Sequence, residues 1–194
     1  MSAADRTKRM ISRELKELAK TIPLQKISVK AIIEHCDINR GTFYYHFADK
    51  QDLINYTYHN DITVPLRKLI NSADRAWDQL TLISLKAMYN NRNFYTQALK
   101  ITGQNDLNSF VHKEVKENWQ LISKIYVDSK FNNKQVNLRY MYYVSDYLAA
   151  GAVAMMTNWV LAGMKESPEE VAMLLDLASN NGLAKAIDYI AECT

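Results

Sequence analysis

The sequence predicts an all-α protein, and three observations lead to that prediction. The 194 residues include only five glycines and three prolines, the residue types that most disfavour helix interiors. Apolar residues recur every three or four positions through most of the chain, which is the period of one helix face. Short polar residues such as Ser28, Asn39 and Asp49 precede several of these stretches and can cap a helix. We expect about nine or ten helices.

The first predicted helix covers residues 5–21. Ile11, Leu15 and Leu18 lie on one stripe of it, and the basic residues lie elsewhere on its surface. Pro23 ends the helix, because the residue before a proline avoids the helical conformation. We expect this helix to pack against the next two.

Residues 28–47, SVKAIIEHCDINRGTFYYHF, indicate a helix, a short turn and a second helix. The first helix covers residues 29–36 and the second covers residues 40–46. Asp37 falls in the turn, where a left-handed backbone is often needed, and Asp tolerates that conformation better than most residues. This order of elements predicts a helix-turn-helix head at the N-terminus of a larger C-terminal helical bundle.

The second helix of this motif is short and dense in hydrogen-bonding side chains. We expect Phe43 and Phe47 to anchor it, which leaves its donors for a groove lined with phosphates and base edges. Residues 1–50 hold ten Lys or Arg against six Asp or Glu, whereas residues 51–194 hold fourteen against fifteen. A basic first quarter favours an anionic partner, and the motif favours double-stranded DNA.

The rest of the chain predicts a helical body. Asp49 caps a long fourth helix, in which Pro65 predicts a kink or break near residues 61–65. Apolar periodicity then places four helices at residues 74–91, 94–102, 106–128 and 135–162. Ser167, Pro168 and Glu170 form a strong helix start, with a cap, a first-position proline and a capping-box glutamate. Gly182 predicts a break before a last short helix at residues 183–191.

The helix predicted at residues 135–162 is apolar on nearly all sides, so it must be covered on all sides. One subunit does not suffice for this, and we expect part of the helix to face a second subunit. The expected contacts on this helix are Tyr147, Gly151, Met155 and Trp159.

The sequence predicts no membrane segment. Its most apolar stretch, residues 148–163, is shorter than the roughly 20 residues that a membrane span needs. The start of the chain lacks the apolar run of a signal peptide. Cys36 and Cys193 lie far apart, which indicates no disulfide framework and favours a reducing cytoplasm.

The run VKAIIEHCDINRGTFYYHFADKQDL closely resembles the DNA-binding signature of the tetracycline-repressor (TetR/AcrR) family. The resemblance covers about residues 8–56, and its core is residues 41–47 followed by Lys50 and Leu53. The segment GMKESPEE, residues 163–170, resembles a branch that includes activators of dihydroxyacetone kinase operons.

Three residues depart from the family pattern. Asp37 stands where the turn usually has Gly, and Cys36 and Ile33 stand where Ala is common. The two larger side chains enlarge the packing between the helices and should alter the angle at which the second helix is presented.

The resemblance implies a homodimer in which the eighth and ninth helices of each subunit form a four-helix interface, and it adds Leu174 to the expected contacts. It also implies a DNA-binding domain at residues 1–48. Residues 49–194 would then bind an effector and form the dimer, with a chamber for a small molecule.

Several residues of the head are expected to contact DNA. Arg40 begins the recognition helix, where it can reach a guanine edge or, alternatively, a phosphate. Tyr45 resembles an exposed aromatic that lies on the DNA backbone, and His46 is expected to contact phosphate most strongly when protonated. The full set is Ser28, Lys30, Asn39, Arg40, Gly41, Thr42, Tyr44, Tyr45, His46 and Lys50.

The second half of the chain is rich in aromatic residues whose polar groups want partners when buried. Such residues can line a chamber for an aromatic, lipid-like or polyol ligand. Ordinary core and dimer packing is the alternative for each of them. The expected ligand contacts are Tyr58, Tyr89, Tyr95, Trp119 and Tyr143.

No motif supports an enzyme, a cofactor or a metal. The pair His35–Cys36 has no further ligands at metal spacing, so we interpret it as a surface histidine beside a buried cysteine. Two functions remain open. The first is a dimeric regulator that responds to a small effector, and the second is a DNA-tethered module whose partner protein, a co-activator, senses the ligand.

Overall fold

The computed structural model describes residues 2–71, 77–131 and 136–192, and over these ranges it contains helices and no strand. The predicted all-α class is therefore confirmed. The head consists of α1 (Ala3–Thr21), a 3₁₀ turn (Leu24–Lys26), α2 (Val29–His35) and α3 (Arg40–His46). The body consists of α4 (Lys50–Tyr58), a π-helical segment (His59–Thr63), α5 (Val64–Ile70), α6 (Trp77–Asn90), α7 (Arg92–Ala98), α8 (Leu107–Phe131), α9 (Leu138–Leu161) and α10 (Pro168–Glu192).

The local signals of the helix-turn-helix are confirmed. The Ser28 hydroxyl accepts a hydrogen bond from the Ala31 backbone N–H at 3.1 Å, which caps α2. The Asn39 side chain accepts one from the Thr42 N–H at 2.7 Å, which caps α3. Asp37 has a φ of 49°, the left-handed conformation expected in the turn. These short-range signals therefore define both helices to within a residue.

The sequence predicts a kink or a break near residues 61–65, and the break is wrong, because the helix does not stop there. A π-helical segment joins α4 to α5, and the Val64 N–H bonds the His59 carbonyl five residues earlier. The hydrogen-bond pattern thus shifts immediately before Pro65. The proline falls in the first turn of α5, where its missing N–H and fixed φ are tolerated. The rod from the head into the body is continuous.

The predicted break at Gly182 is also wrong, because α10 runs without interruption from Pro168 to Glu192. Its start is as expected: the Glu170 N–H donates to the Ser167 hydroxyl at 3.2 Å, and the Ser167 N–H donates to the Glu170 carboxylate at 2.8 Å. A single glycine weakens a helix but does not end it when packing holds the helix on both sides.

The continuous course of α10 gives a testable result at Gly182. A Cβ added there meets no atom within 4 Å, and the backbone lacks a positive φ. Gly182→Ala is therefore expected to raise the free energy of unfolding by about 0.5–1 kcal/mol, measured by urea denaturation. The control, Gly163→Ala, should lower it, because Gly163 has a φ of +94°. A loss of stability at Gly182 would support the break instead.

One hydrophobic core runs from the head into the body. Ile11, Leu15, Ile32 and Phe43 are fully buried in the head, and the same cluster continues through the body to Trp159. A second, smaller cluster around Met141 lies between the far ends of α8 and α9. The head is therefore packed onto the body through apolar side chains as well as joined to it by the α4 rod.

Candidate nucleic-acid interface

Helix α3 separates its anchoring side chains from its exposed ones. Phe43 is fully buried and Phe47 is 2% exposed, as expected of the anchors. Tyr44 is 46% exposed and Tyr45 is 80% exposed. The exposed Arg40 places its guanidinium carbon 5.4 Å from the centre of the Tyr44 ring. A helix held by two buried aromatics thus presents a cation and two phenols to solvent.

The polar residues at the start of α3 are partly engaged in its cap. The Asn39 side-chain oxygen accepts from both the N–H and the hydroxyl of Thr42, at 2.7 and 3.1 Å. Gly41 is exposed, and a Cβ there would lie 3.2 Å from that oxygen, so a side chain would crowd the cap. His46 is half-buried and packs edge-on against Tyr45, with ring centres 4.9 Å apart. The start of α3 is therefore held by its cap, and at Gly41 its backbone is open to close approach by another molecule.

Helix α2 adds two exposed polar groups on its N-terminal end. Ser28 uses its hydroxyl oxygen to accept the capping hydrogen bond, which leaves the hydroxyl proton to donate outward. The Lys30 side chain is 84% exposed, and its ammonium lies 3.7 Å from the Glu34 carboxylate. An exposed pair of this kind holds the lysine only weakly, so its charge remains available to an anion.

Lys50 occupies a different environment from the other proposed DNA contacts. Its ammonium donates hydrogen bonds to the backbone carbonyls of Leu24, Gln25 and Ile27 at 3.0, 3.2 and 2.8 Å. Burial lowers the pKa of the Lys50 ammonium. An ammonium has three donors, and all three are directed at the chain. The side chain therefore joins the segment before α2 to the start of α4, and the ammonium lacks a free donor for the DNA contact expected from sequence.

His35 is exposed, as interpreted from the sequence, whereas Cys36 is half-buried and not fully buried. The His35 Nε2 lies 3.1 Å from a Glu14 carboxylate oxygen. Cys36 is half-buried, and burial raises the pKa of its thiol to about 11, with the Glu14 carboxylate as a second cause. Such a thiol is protonated at neutral pH and is a poor nucleophile or metal ligand.

Polar contacts that sequence reasoning missed attach the head to the body. Gln97 of α7 accepts from the Leu24 N–H at 2.6 Å and donates to the Ala19 carbonyl at 3.1 Å. Asp61, in the π segment, accepts from the Lys16 ammonium of α1 at 2.6 Å and from the Tyr95 hydroxyl at 3.4 Å. These pairs are 34 to 78 residues apart in sequence, and no local pattern marks them.

A cavity of about 100 Å³ lies inside the body, between α4, α5, α6, α8, α9 and α10. Most of its lining is apolar, including Leu66, Ile122 and Met156. Tyr58 and Trp119 also line it, as expected of ligand contacts. The cavity is below the usual volume of a ligand pocket, which starts near 300 Å³.

The other three expected ligand contacts lie elsewhere. Tyr95 is fully buried and packs edge-on against Tyr58, behind the cavity wall. Tyr89 stacks on Trp159, with ring centres 6.4 Å apart. Tyr143 is 55% exposed, and its hydroxyl accepts from the Arg139 guanidinium at 2.8 Å. Aromatic residues spread over four helices, so their positions around a chamber depend on helix packing that the sequence does not encode locally.

Helix α9 carries one exposed stripe along its whole length, which we call the α9 stripe. Its members recur at three- and four-residue intervals and are aromatic in the first half and mostly small in the second. They are Tyr140, Tyr143, Tyr147, Ala150, Gly151, Ala154, Asn158 and Leu161. On α10, which packs against α9, the large exposed apolar residues among those with described side chains are Met173, Leu174 and Leu177.

Two expected dimer contacts do not belong to this stripe. Trp159 is 5% exposed, and its indole N–H donates to the Glu166 carbonyl at 3.1 Å within the same subunit. Met155 is half-buried against the main core. A strict four-residue spacing turns about 40° per step around a helix, so a series that is exposed at Tyr147 reaches the buried side by Trp159. Tyr147, Gly151 and Leu174 are exposed as the dimer hypothesis requires.

Among the described residues, none of the helices is both long and apolar enough to cross a membrane. Nor do those residues contain a group of three or more His, Cys, Asp or Glu side chains arranged to hold a metal ion.

A helix-turn-helix head with an exposed, basic and aromatic second helix, carried on an all-α body, defines a DNA-binding regulatory protein. Residues 15–57 match the family described as "Bacterial regulatory proteins, tetR family". Residues 75–181 match the family described as "Transcriptional regulator C-terminal region". The chain therefore belongs to the TetR family of bacterial transcriptional regulators, and it is a regulator and not an enzyme.

Individual relatives agree with this assignment. The HTH-type dhaKLM operon transcriptional activator DhaS of Lactococcus lactis subsp. lactis (strain IL1403) is 27% identical over 95 residues. That match spans 49% of this chain and 50% of DhaS, so it covers about half the length of the relative.

Solved structures show the same fold at low sequence identity. The dihydroxyacetone kinase operon activator DhaS superposes with a TM-score of 0.67 at 22% identity, covering 94% of this chain and 97% of that one. NalD of Pseudomonas aeruginosa, the secondary repressor of the MexAB-OprM multidrug efflux pump, gives a TM-score of 0.58 at 18% identity. That superposition covers 92% of this chain and 97% of NalD.

Proposed function

We propose that the protein is a homodimer that reads a pseudo-palindromic operator in bacterial cytoplasm and is controlled by a small-molecule effector. Each head places α3 in a major groove. The two half-sites lie about one helical turn apart, ~34–36 Å, or somewhat wider. Residues 1–48 form the DNA-binding domain, and residues 49–194 carry the effector site and the dimer interface.

One observation carries the DNA-reading part of this proposal. Tyr45 is a large aromatic residue, yet it is 80% exposed. The two rings that anchor the helix, Phe43 and Phe47, are buried instead. Isolated exposed tyrosines need no explanation, but this one packs against the half-buried His46 and directly follows Tyr44, whose ring contacts the Arg40 guanidinium. In this proposal Arg40 bonds a guanine edge, and the phenols and His46 contact the DNA backbone.

The α9 stripe and the exposed leucines of α10 support the proposed dimer. A two-fold interface uses the same patch on both subunits, so it needs a patch that is complementary to itself. Small residues at Ala150, Gly151 and Ala154 allow two copies of α9 to approach closely where they cross. The tyrosines of the first half then cover the flanks. Dimerisation is typical of the family to which the chain belongs.

The experiment that tests the function is selection of binding sites from random DNA with the purified protein, followed by footprinting of the promoter beside its own gene. We expect an inverted repeat and protection of two half-sites on the same face of the duplex. Recovery of sites without two-fold symmetry, or of no preferred site, would reject the proposed reading of a pseudo-palindrome.

Lys30 and Lys50 lie in different environments, although both are expected from sequence to contact DNA. Lys30→Met should lower the slope of log K against log salt by about 1.8, since a dimer loses two phosphate contacts. Lys50→Met should leave that slope unchanged and lower the free energy of unfolding by about 1–3 kcal/mol, because three backbone carbonyls, two of them partly buried, lose their donor. Fluorescence anisotropy at several salt concentrations and urea denaturation measure the two effects. An equal fall in slope for both variants would make Lys50 a phosphate contact.

A second candidate function is a DNA-tethered module whose co-activator protein senses the ligand. The observation that favours it is the small cavity, about 100 Å³, which holds only a small effector as it stands. Gel filtration with candidate partners, with and without ligand, separates the two functions. A purified protein that releases its operator in response to ligand alone would exclude the co-activator.

A further inference from the structure

We infer that the cavity in the body takes a compact, uncharged molecule that offers a hydrogen-bond acceptor, and that Tyr58 donates to it. This inference rests on the proposed control by an effector and assigns the chemistry of that effector. It starts from the polar groups that the cavity lining leaves without partners.

Tyr58 is the first of these groups. The residue is 2% exposed and lines the cavity, and burial raises the pKa of its phenol, with the Glu114 carboxylate as a second cause. The hydroxyl is therefore protonated at any physiological pH and can donate. Within residues 2–71, 77–131 and 136–192, no hydrogen bond to this hydroxyl is found. A buried phenol normally has a partner, so the cavity side holds an unused donor.

Asn118 supplies a second donor to the same space. Its side chain is 8% exposed and lines the cavity. The Arg67 guanidinium donates to the Asn118 carbonyl oxygen at 3.2 Å, which fixes the orientation of the amide. The NH₂ group of Asn118 is left without a bond among the described residues. Two residues with unpaired donors, one phenol and one amide, thus line one apolar cavity, and each donor can bond an acceptor there.

The remaining lining excludes charged ligands. The other polar groups in the wall are the Trp119 indole N–H and three hydroxyls. Two of the hydroxyls are satisfied, because Thr81 donates to Asp176 at 2.9 Å and Ser84 donates to the Leu80 carbonyl at 2.9 Å. No Lys, Arg, Asp or Glu lines the cavity among the described residues. A carboxylate or ammonium placed there would lose its hydration without gaining a counter-charge.

The volume limits the size of the ligand. An engineered cavity of about 150 Å³ takes up benzene, so about 100 Å³ suits a molecule of at most five or six non-hydrogen atoms. Small cyclic or short-chain ketones, alcohols and ethers have this size and offer one acceptor oxygen. A larger effector of the same chemistry would have to widen the cavity.

Tyr58 also explains how occupancy would reach the head. It is the last residue of α4, directly before the π segment, and its ring packs edge-on against Tyr95 at 6.3 Å. The Tyr95 hydroxyl donates to Asp61, which also accepts from Lys16 of α1. A ligand that accepts a hydrogen bond from the Tyr58 hydroxyl therefore acts on the end of α4. Through Tyr95 and Asp61 it also acts on the contact with Lys16 of the head. The ligand changes the separation of the two heads only to the extent that it binds one arrangement of the heads more tightly than the other.

The test uses cyclopentanone as the uncharged acceptor and cyclopropanecarboxylate, which also has six non-hydrogen atoms, as its charged counterpart, each titrated into the full-length protein and followed by methyl NMR. We expect millimolar binding of cyclopentanone, with shifts at the methyl groups of Leu66, Ile122 and Met156, and no such shifts with the carboxylate. Tyr58→Phe should weaken cyclopentanone binding about tenfold, because it removes one hydrogen bond.

Tyr95→Phe is the matched control, since it removes a neighbouring buried hydroxyl that does not line the cavity, and its affinity for cyclopentanone should equal that of the wild type. Ala152→Met, which fills the cavity from α9, should abolish binding even if Tyr58→Phe proves unstable. Equal binding of ketone and carboxylate, an unchanged affinity in Tyr58→Phe, or no binding to the wild type would each overturn the inference. Operator binding is measured separately on the ligand-free protein. If that protein bound no operator, the proposed function would be rejected, whereas the measured binding of cyclopentanone to the cavity would still stand.

Discussion

Replacing both Arg40 and Tyr45 by alanine is expected to lower operator affinity by at least about a hundredfold, while leaving the fold and the dimer intact. Each lost base or backbone contact of this kind costs about 1–3 kcal/mol, and a dimer loses each contact twice. Both side chains are exposed, and neither forms part of the head core. The measurement is fluorescence anisotropy on the selected operator at physiological salt, with urea denaturation as the check on stability.

The matched control removes the same two residue types from the body. Arg92 and Tyr142 are exposed and lie outside both the head and the α9 stripe, so Arg92→Ala with Tyr142→Ala should leave operator affinity unchanged. If the Arg40 and Tyr45 variant bound the operator as tightly as the wild type, α3 would not be the reading helix. If affinity fell equally on operator and random DNA, Arg40 would contact phosphate and not a base edge.

Ala154→Glu is expected to convert the protein into monomers and to remove most of its operator affinity. Ala154 lies in the small-residue half of the exposed α9 stripe, where two copies of the helix are proposed to cross. A two-fold interface would bring two glutamates together in a buried setting, and each would lose hydration beside a like charge. Light scattering should then report the mass of one chain, 22.4 kDa, in place of twice that value.

A charge on another side of the same helix is the control. Tyr142 is 38% exposed and stands away from the stripe, so Tyr142→Glu should leave both the mass and the operator affinity unchanged. A dimer that persists in Ala154→Glu would place the interface elsewhere on the molecule. Monomers with undiminished operator affinity would instead show that one head suffices, which contradicts the proposed pairing of two half-sites.

The head was predictable from sequence because its determinants are local. The caps at Ser28 and Asn39, the left-handed Asp37 and the buried Phe43 and Phe47 all depend on residues within a few positions of one another. In helices this short, the side chains that do not anchor the helix in the core lie at the surface. The sequence therefore also predicted which residues of α3 are presented, although not which of them DNA contacts.

The body was less predictable, because its features depend on residues far apart in the chain. A strict four-residue spacing grouped Trp159 with Tyr147, whereas the helix turns Trp159 into the core, where it stacks on Tyr89. Gly182 resembled a helix end, but α10 continues through it. Lys50 resembled a phosphate contact until the carbonyls of Leu24, Gln25 and Ile27 were found around its ammonium.

The sequence by itself determined the all-α class, the helix-turn-helix and the family, since periodicity, caps and one dense motif are properties of neighbouring residues. Only the tertiary structure decided how the head is attached and what the body can hold. Gln97 reaches Ala19 across 78 positions, and the cavity brings Tyr58 and Asn118 together from two helices. Such contacts arise when helices pack, because packing sets which distant side chains meet and which polar groups are left without partners.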